Sequence, residues 1–266
     1  MTEYPDQIPS EPVEVVAVGA HPDDLEILCG GTLAKLARSG TRVAILDLTD
    51  GEPTPRGTPA QRRIEAEEAR IALGIPWRFN AMLPNRVLMD DPDNRMTVAT
   101  WFRQLRPKVV LTIAGRTPSG SPDHYQTQLL VEGARFYSQL TKWDARFDNT
   151  QPHRIPHLVY SLFPFDAEEH SWHGSFVVDW HGSFVVDIAE TWAAKLASVR
   201  AYKSQFDGPR LERIEHVLLG QAAYHGSRCG FTHGERFVLP VPVGSRDFLG
   251  TVTASHGLPT TSSHAD

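Results

Sequence analysis

The residues of this chain best suited to chemistry stand near its start, in the run Ala20-His21-Pro22-Asp23-Asp24-Leu25-Glu26. His21 and Asp24, an imidazole and a carboxylate three residues apart, converge on one point when the backbone turns between them. Both are good zinc ligands, and the ion asks the protein for at least one more. A further donor of the right type stands in Ser121-Pro122-Asp123-His124. Two histidines and one carboxylate leave a coordination position open for water, the composition of a catalytic rather than a structural zinc site. The same set suits ferrous iron, and a hydrogen-bonded structural cluster is the competing reading of His21, Asp24 and His124. Asp23 lies beside them without being needed as a ligand. Two roles are open to it: a general base toward a water that the metal has acidified, for attack on a carbonyl, or the N-cap of the following helix.

Side chains from distant segments meet only if the fold brings their loops together. Short apolar runs at 13–20, 42–48, 77–82, 108–114 and 158–163 alternate with amphipathic segments at 25–38, 59–73, 97–105, 122–140, 188–204 and 211–224. That alternation predicts an α/β fold: a Rossmann-like, mostly parallel sheet with helices on both faces, in three layers. Residues 13–20 (VEVVAVGA) have the near-continuous β-branched and small character of a parallel strand buried on both sides. Thr58 before Pro59 reads as an N-cap followed by proline at the first helical position. In a doubly wound order 3-2-1-4 the first and fourth strands are neighbours, so the loops carrying His21–Asp24 and His124 face each other. A nucleotide-binding reading of the same fold fails at the first turn. Gly19 to Asp24 supplies no G-x-G-x-x-G, and two carboxylates there repel a pyrophosphate.

Composition narrows the class further. The chain has 266 residues, a net charge of −6, 41% hydrophobic and 22% charged residues, the balance of a globular protein without the basic footprint of a nucleic-acid binder. Two cysteines, Cys29 and Cys229, are too few for a disulfide framework and read as small buried hydrophobes. Residues 1–12 are acidic and contain proline, a short extension with neither a basic region nor an apolar run. No stretch reaches the roughly 20 apolar residues that span a bilayer, so neither membrane nor nucleic acid is an expected partner and the expected location is cytoplasmic. Residues 13–249 are expected to form a single domain, and the Thr-, Ser- and His-rich 250–266 a poorly ordered tail. The octapeptide WHGSFVVD occurs twice in succession, at 172–179 and 180–187. Two copies compete for one strand position, and the second, which leads directly into the next helix, is expected to pair.

The stretch 20–32 (AHPDDLEILCGGT) closely resembles the signature of the LmbE-like, or PIG-L, deacetylase family. Gly57-Thr58 with Arg62 and Glu65, Leu83-Pro84-Asn85-Arg86, Pro122-Asp123-His124 and Lys203-Ser204-Gln205-Phe206 follow in the family's order, so the resemblance covers about residues 13–240. Within the family the chain looks most like the bacillithiol-pathway N-acetylglucosaminyl-malate deacetylases. The resemblance implies Zn2+, with Fe2+ as the other candidate, held by His21, Asp24 and His124, with Asp23 as general base. It implies removal of the acetyl group from an N-acetylglucosamine conjugate, a small-molecule amino-sugar substrate, and a homo-oligomer, trimer or hexamer. Arg62 matches an arginine that the family uses near the substrate, and Arg86 follows the motif that usually reads Pro-Asp. For both, a solvated surface charge is the plain alternative.

Two departures bear on this expectation. Ser121 stands where the family often has a histidine, and serine neither carries a positive charge nor acts as an acid near neutral pH. Asn85 replaces the usual aspartate after Pro84. Either Asp23 serves as both base and acid, or another histidine (His170, His173, His181 or His225) reaches in. Otherwise the chain is a catalytically impaired zinc- and sugar-binding protein of the same fold.

Overall fold

The computed structural model describes residues 8–117, 120–163, 183–242, 244 and 246–247. Its elements follow the predicted alternation: β1 (Val15–Gly19), α1 (Asp24–Arg38), β2 (Val43–Asp47), α2 (Pro59–Leu73), β3 (Trp77–Asn80), α3 (Pro92–Leu105), β4 (Val109–Ile113), α4 (Asp123–Tyr137), β5 (His157–Ser161), β6 (Ser183–Asp187), α5 (Trp192–Ala201), α6 (Gly208–Ser227) and β7 (Gly234–Val238). The seven strands form one sheet in the order β3-β2-β1-β4-β5-β7-β6. The pairings from β3 through β5 are parallel, and β7 runs antiparallel to both β5 and β6. This is the expected α/β sandwich, mostly parallel, with β1 and β4 adjacent.

Alternation along the strands sorts the core into two layers. Val16 and Val18 of β1 pack with Met96, Phe102, Leu130 and Val131 of α3 and α4 on one face. Val15 and Ala17 pack with Leu25, Leu33, Val199 and Leu218 of α1, α5 and α6 on the other. β1 and β2 are buried along their whole length, as strands covered on both faces must be. A cluster of paired charged side chains lies inside this packing. Arg78 of β3, fully buried, donates two hydrogen bonds to Asp47 at 2.7 and 2.9 Å and another to Glu26.

The helix termini show where sequence reading works and where it stops. Thr58 accepts a hydrogen bond from the Gln61 amide with Pro59 behind it, as expected. Asp91 and Pro92 use the same grammar, so α3 begins five residues before its expected start, with Asp91 accepting from the amides of Asp93 and Asn94. α4 ends at Tyr137, α5 occupies only part of 188–204, and α6 extends past 211–224 at both ends. β7 (GERFV) was not expected: Glu235 and Arg236 break its apolar run, yet both are buried. Of the two FVVD copies, the second pairs, Ser183–Asp187 lying antiparallel to β7; the first lies outside the described residues. Cys29 is buried as expected, whereas Cys229 is only half-buried. Among the described residues no helix is long and apolar enough to cross a membrane.

Candidate active site

The chain turns sharply at the carboxyl end of β1 and enters α1 at Asp24. Asp23, at the turn, has φ 126°, a conformation that side-chain-bearing residues rarely adopt and that marks a place where surroundings over-determine the backbone. Its side chain makes no capping hydrogen bond to α1, which removes the N-cap reading. Asp24 is instead the fixed point of the turn: its Oδ2 accepts from the amides of Ala20 at 3.0 Å and His21 at 2.9 Å. From the neighbouring β4, the chain returns through a loop to α4, whose first turn carries His124.

The three separated residues meet. Nδ1 of His21 lies 3.5 Å from Oδ2 of Asp24, and Nε2 of His124 lies 3.4 Å from Oδ1 of the same carboxylate. One donor atom from each lies within 4.8 Å of the others. Asp123 stands behind the set, its Oδ2 3.2 Å from Nε2 of His21 and 2.7 Å from the donating amide of Arg86. A carboxylate there accepts a hydrogen bond from Nε2–H, which in the neutral ring leaves the Nδ1 lone pair facing Asp24. Phe163 stacks on the His124 ring with centroids 4.3 Å apart.

Electrostatics asks for a cation at the meeting point. Burial works against charge on His21, yet Asp24 and Asp123 overcome it and raise the imidazole to about 10. Burial likewise opposes the charge of Asp24, and His124 with His21 hold its carboxyl well below the usual range. Two nitrogen donors and one oxygen donor around a strongly favoured positive charge fit a divalent metal ion such as zinc or ferrous iron. Asp23 differs in kind. Burial pushes its carboxyl above the ordinary value, against the pull of Arg62.

Arg62 of α2 is 4% exposed, with Nη2 3.5 Å from Asp23 Oδ2, so it is not a solvated surface charge. Its guanidinium packs on Gly51, where a Cβ would come within 2.9 Å of Nη2. Arg86 is exposed and lines the same cavity. Ser121 has a structural task in the place where the family often has histidine: its Oγ accepts from the Asp123 amide at 3.2 Å, at the start of α4. The cavity around these groups measures about 400 Å³, within the usual range of small-molecule sites, roughly 300–1,000 Å³. His225 lies on α6 outside it, beside a separate small cavity. His170, His173 and His181 lie outside the described residues. Sequence reading missed the supporting roles of Thr117, Asp123 and Phe163. Asp123 was in view as part of a motif, but Thr117 and Phe163 sit at strand-end loops where no periodicity singles them out.

Known proteins resemble this chain over much of its length. The PIG-L family model, described as GlcNAc-PI de-N-acetylase, matches residues 16–134. The diacetylchitobiose deacetylase of Thermococcus kodakarensis is 31% identical over 236 residues, covering 85% of this chain and 83% of that protein. A 1D-myo-inositol 2-acetamido-2-deoxy-alpha-D-glucopyranoside deacetylase of Catenulispora acidiphila is 28% identical over 186 residues, 58% of this chain and 60% of the relative. Among solved structures, a conserved protein from Thermus thermophilus superposes with a TM-score of 0.73 at 32% identity, covering 89% of this chain and 98% of that one.

Proposed function

The chain belongs to the PIG-L family, and on that premise we propose that it is a metal-dependent hydrolase removing the N-acetyl group from an N-acetylglucosamine conjugate. The observation that carries this reading is the meeting of His21, Asp24 and His124 within 4.8 Å, with Asp23 beside them on the floor of the cavity. Relatives named for deacetylation of diacetylchitobiose and of an acetamido-glucopyranoside support the substrate class.

In this proposal His21, Asp24 and His124 hold zinc or ferrous iron. A metal ion held there supplies a Lewis acid that acidifies water and polarises the amide carbonyl. Asp23 takes the proton from the attacking water, a task suited to a carboxylate made more basic by burial. The water oxygen bonds to the acetyl carbon, the C–N bond breaks, and Asp23 returns the proton to the departing nitrogen, giving acetate and a free amine. Asp23 covers both proton transfers because Ser121 cannot act as an acid. Arg62 keeps Asp23 oriented and, with Arg86 and Ser121, contacts the sugar. Residues 13–249 act as one catalytic domain, and the active form is a homo-oligomer.

The test is release of free amine from a panel of N-acetylglucosamine conjugates, including the malate conjugate, with the metal content of the same sample measured. Activity lost on chelation and restored by zinc or ferrous iron supports the proposal. Bound metal without amine release from any conjugate favours a binding protein of the same fold.

A further inference from the structure

Asp23 stands on a strained backbone, and little holds its side chain. Its φ of 126° is sustained by the surroundings rather than by the chain itself. Its carboxylate makes no capping bond to α1, and among the described residues Arg62 is its one ion-pair partner, at 3.5 Å. The place from which Asp23 can act therefore depends on what fixes Arg62.

Hydrogen bonds do not fix it. Nε and Nη1 of Arg62 are buried without a hydrogen-bond partner among the described residues, although the residue is only 4% exposed. Two surfaces hold the guanidinium instead. One is the backbone of Gly51, so close that a Cβ there would come within 2.9 Å of Nη2 and 3.1 Å of Nε. The other is the ring of Tyr202, whose centroid lies 5.7 Å from Cζ. That is inside the separation of about 6 Å at which a ring face attracts a cation.

Tyr202 is itself firmly placed. It is fully buried just past the end of α5, and its hydroxyl donates to Oε1 of Glu26 at 3.1 Å. The same carboxylate oxygen accepts from Arg78, so the ring is tied to α1 and, through it, to β3. The segment that follows, Lys203-Ser204-Gln205-Phe206, contributes no lining residue to the cavity. It clamps the elements around Arg62 instead. Ser204 gives Glu65 two hydrogen bonds, from its amide at 2.8 Å and from its hydroxyl at 2.6 Å. Glu65 stands three residues after Arg62, on the same face of α2. Gln205 donates to the carbonyl oxygen of Arg56 at 3.2 Å, in the loop that also carries Gly51.

We propose that Tyr202 is a positioning residue for deacetylation: its ring holds Arg62, and Arg62 holds Asp23 where it takes and returns the proton. This rests on the deacetylase reading of the cavity floor. Tyr202 touches neither substrate nor metal, and acts only through Arg62.

The experiment measures kcat for amine release, per bound metal ion, with diacetylchitobiose or the malate conjugate of N-acetylglucosamine, whichever is turned over faster. Tyr202→Met fills the space without a ring face. It is expected to lower kcat by about 10–100-fold at unchanged metal content, since a misplacement of about 1 Å costs on the order of 10²-fold. Tyr202→Phe keeps the ring and is expected to restore most of that loss. In an Arg62→Gln background Tyr202→Met is expected to cost nothing further, because the residue it acts through is gone. A loss of the same factor in both backgrounds is what a merely structural residue gives, and it overturns the inference. Wild-type kcat in Tyr202→Met overturns it as well, and both results leave the deacetylase reading standing. Should the Met variant not fold, phenylalanine with successive ring fluorines in place of Tyr202 keeps the shape and weakens only the face. A kcat that falls with each fluorine then supports the inference, and a flat series overturns it. No amine from any conjugate, in the wild type included, defeats the deacetylase reading and the inference with it.

Discussion

Oγ1 of Thr117 lies 2.9 Å from Nδ1 of His124, and the same hydroxyl donates to the carbonyl oxygen of Ser121 at 3.1 Å. A hydroxyl that has given its only proton to a carbonyl can only accept from the imidazole. Nδ1 of His124 therefore carries the hydrogen, and Nε2 presents a lone pair toward Asp24. Thr117 does for His124 what Asp123 does for His21, with a neutral group in place of a carboxylate.

Replacing Thr117 by Val keeps the shape and leaves a buried Nδ1–H unpaired. Partners of this kind typically contribute about 10–100-fold to metal affinity, and Thr117→Val is expected to weaken zinc binding by that amount, with Thr117→Ser close to the wild type. Competitive titration against a chromogenic chelator measures it. Equal affinity in the Val variant removes Thr117 from the support of the site.

Asp23→Asn tests the proton transfers separately from the metal. The variant is expected to retain metal at wild-type stoichiometry while turnover falls by about 10²–10⁴-fold, the usual contribution of a general base. Its amide can still face Arg62, so the local packing survives. Full activity in this variant rules out the base role of Asp23.

Much of this site is legible in the sequence. His21, Asp23 and Asp24 lie within four residues, and strand order alone brings His124 to face them, so motif and topology together are enough. Thr117 is not legible, because its contact depends on how a loop without periodicity folds back on the following helix. β7 is hidden for a related reason. A strand reads as apolar, and Glu235 and Arg236 are charged; the burial of Glu235 depends on partners contributed by α1 and α5, far away in sequence. Arg62 is ambiguous because a helix face does not reveal which arginine points inward toward Asp23.

Removing the metal discriminates the three donors from a hydrogen-bonded cluster. Chelation is expected to abolish activity without unfolding the chain, because both core layers are built from apolar side chains and include none of the three donors. His124→Ala deletes one donor of three and is expected to lower zinc occupancy after gel filtration, read by elemental analysis. Unchanged occupancy would exclude His124 as a ligand.

Behind the site, a buried carboxylate of β7 holds α1 in place. The helix is broken at Cys29, whose φ of −145° is not helical, so its second half begins with amide groups that have no partners inside the helix. Glu235 of β7 supplies them: its two carboxylate oxygens accept from Gly31 N at 3.0 Å and Thr32 N at 2.7 Å. Lys195 of α5, 3% exposed, donates to the same carboxylate and to the carbonyl oxygen of Ile27 at 2.7 Å. Removing one member strands the other's buried charge, which typically costs about 3–5 kcal/mol. Lys195→Met is therefore expected to destabilise the protein by that amount in urea denaturation. Glu235→Gln strands the lysine and also turns one amide-accepting oxygen into a donor. The double variant is expected to be less destabilised than the sum of the two single ones, because neither charge is then left alone. Strict additivity would mean that Lys195 and Glu235 contribute independently of each other.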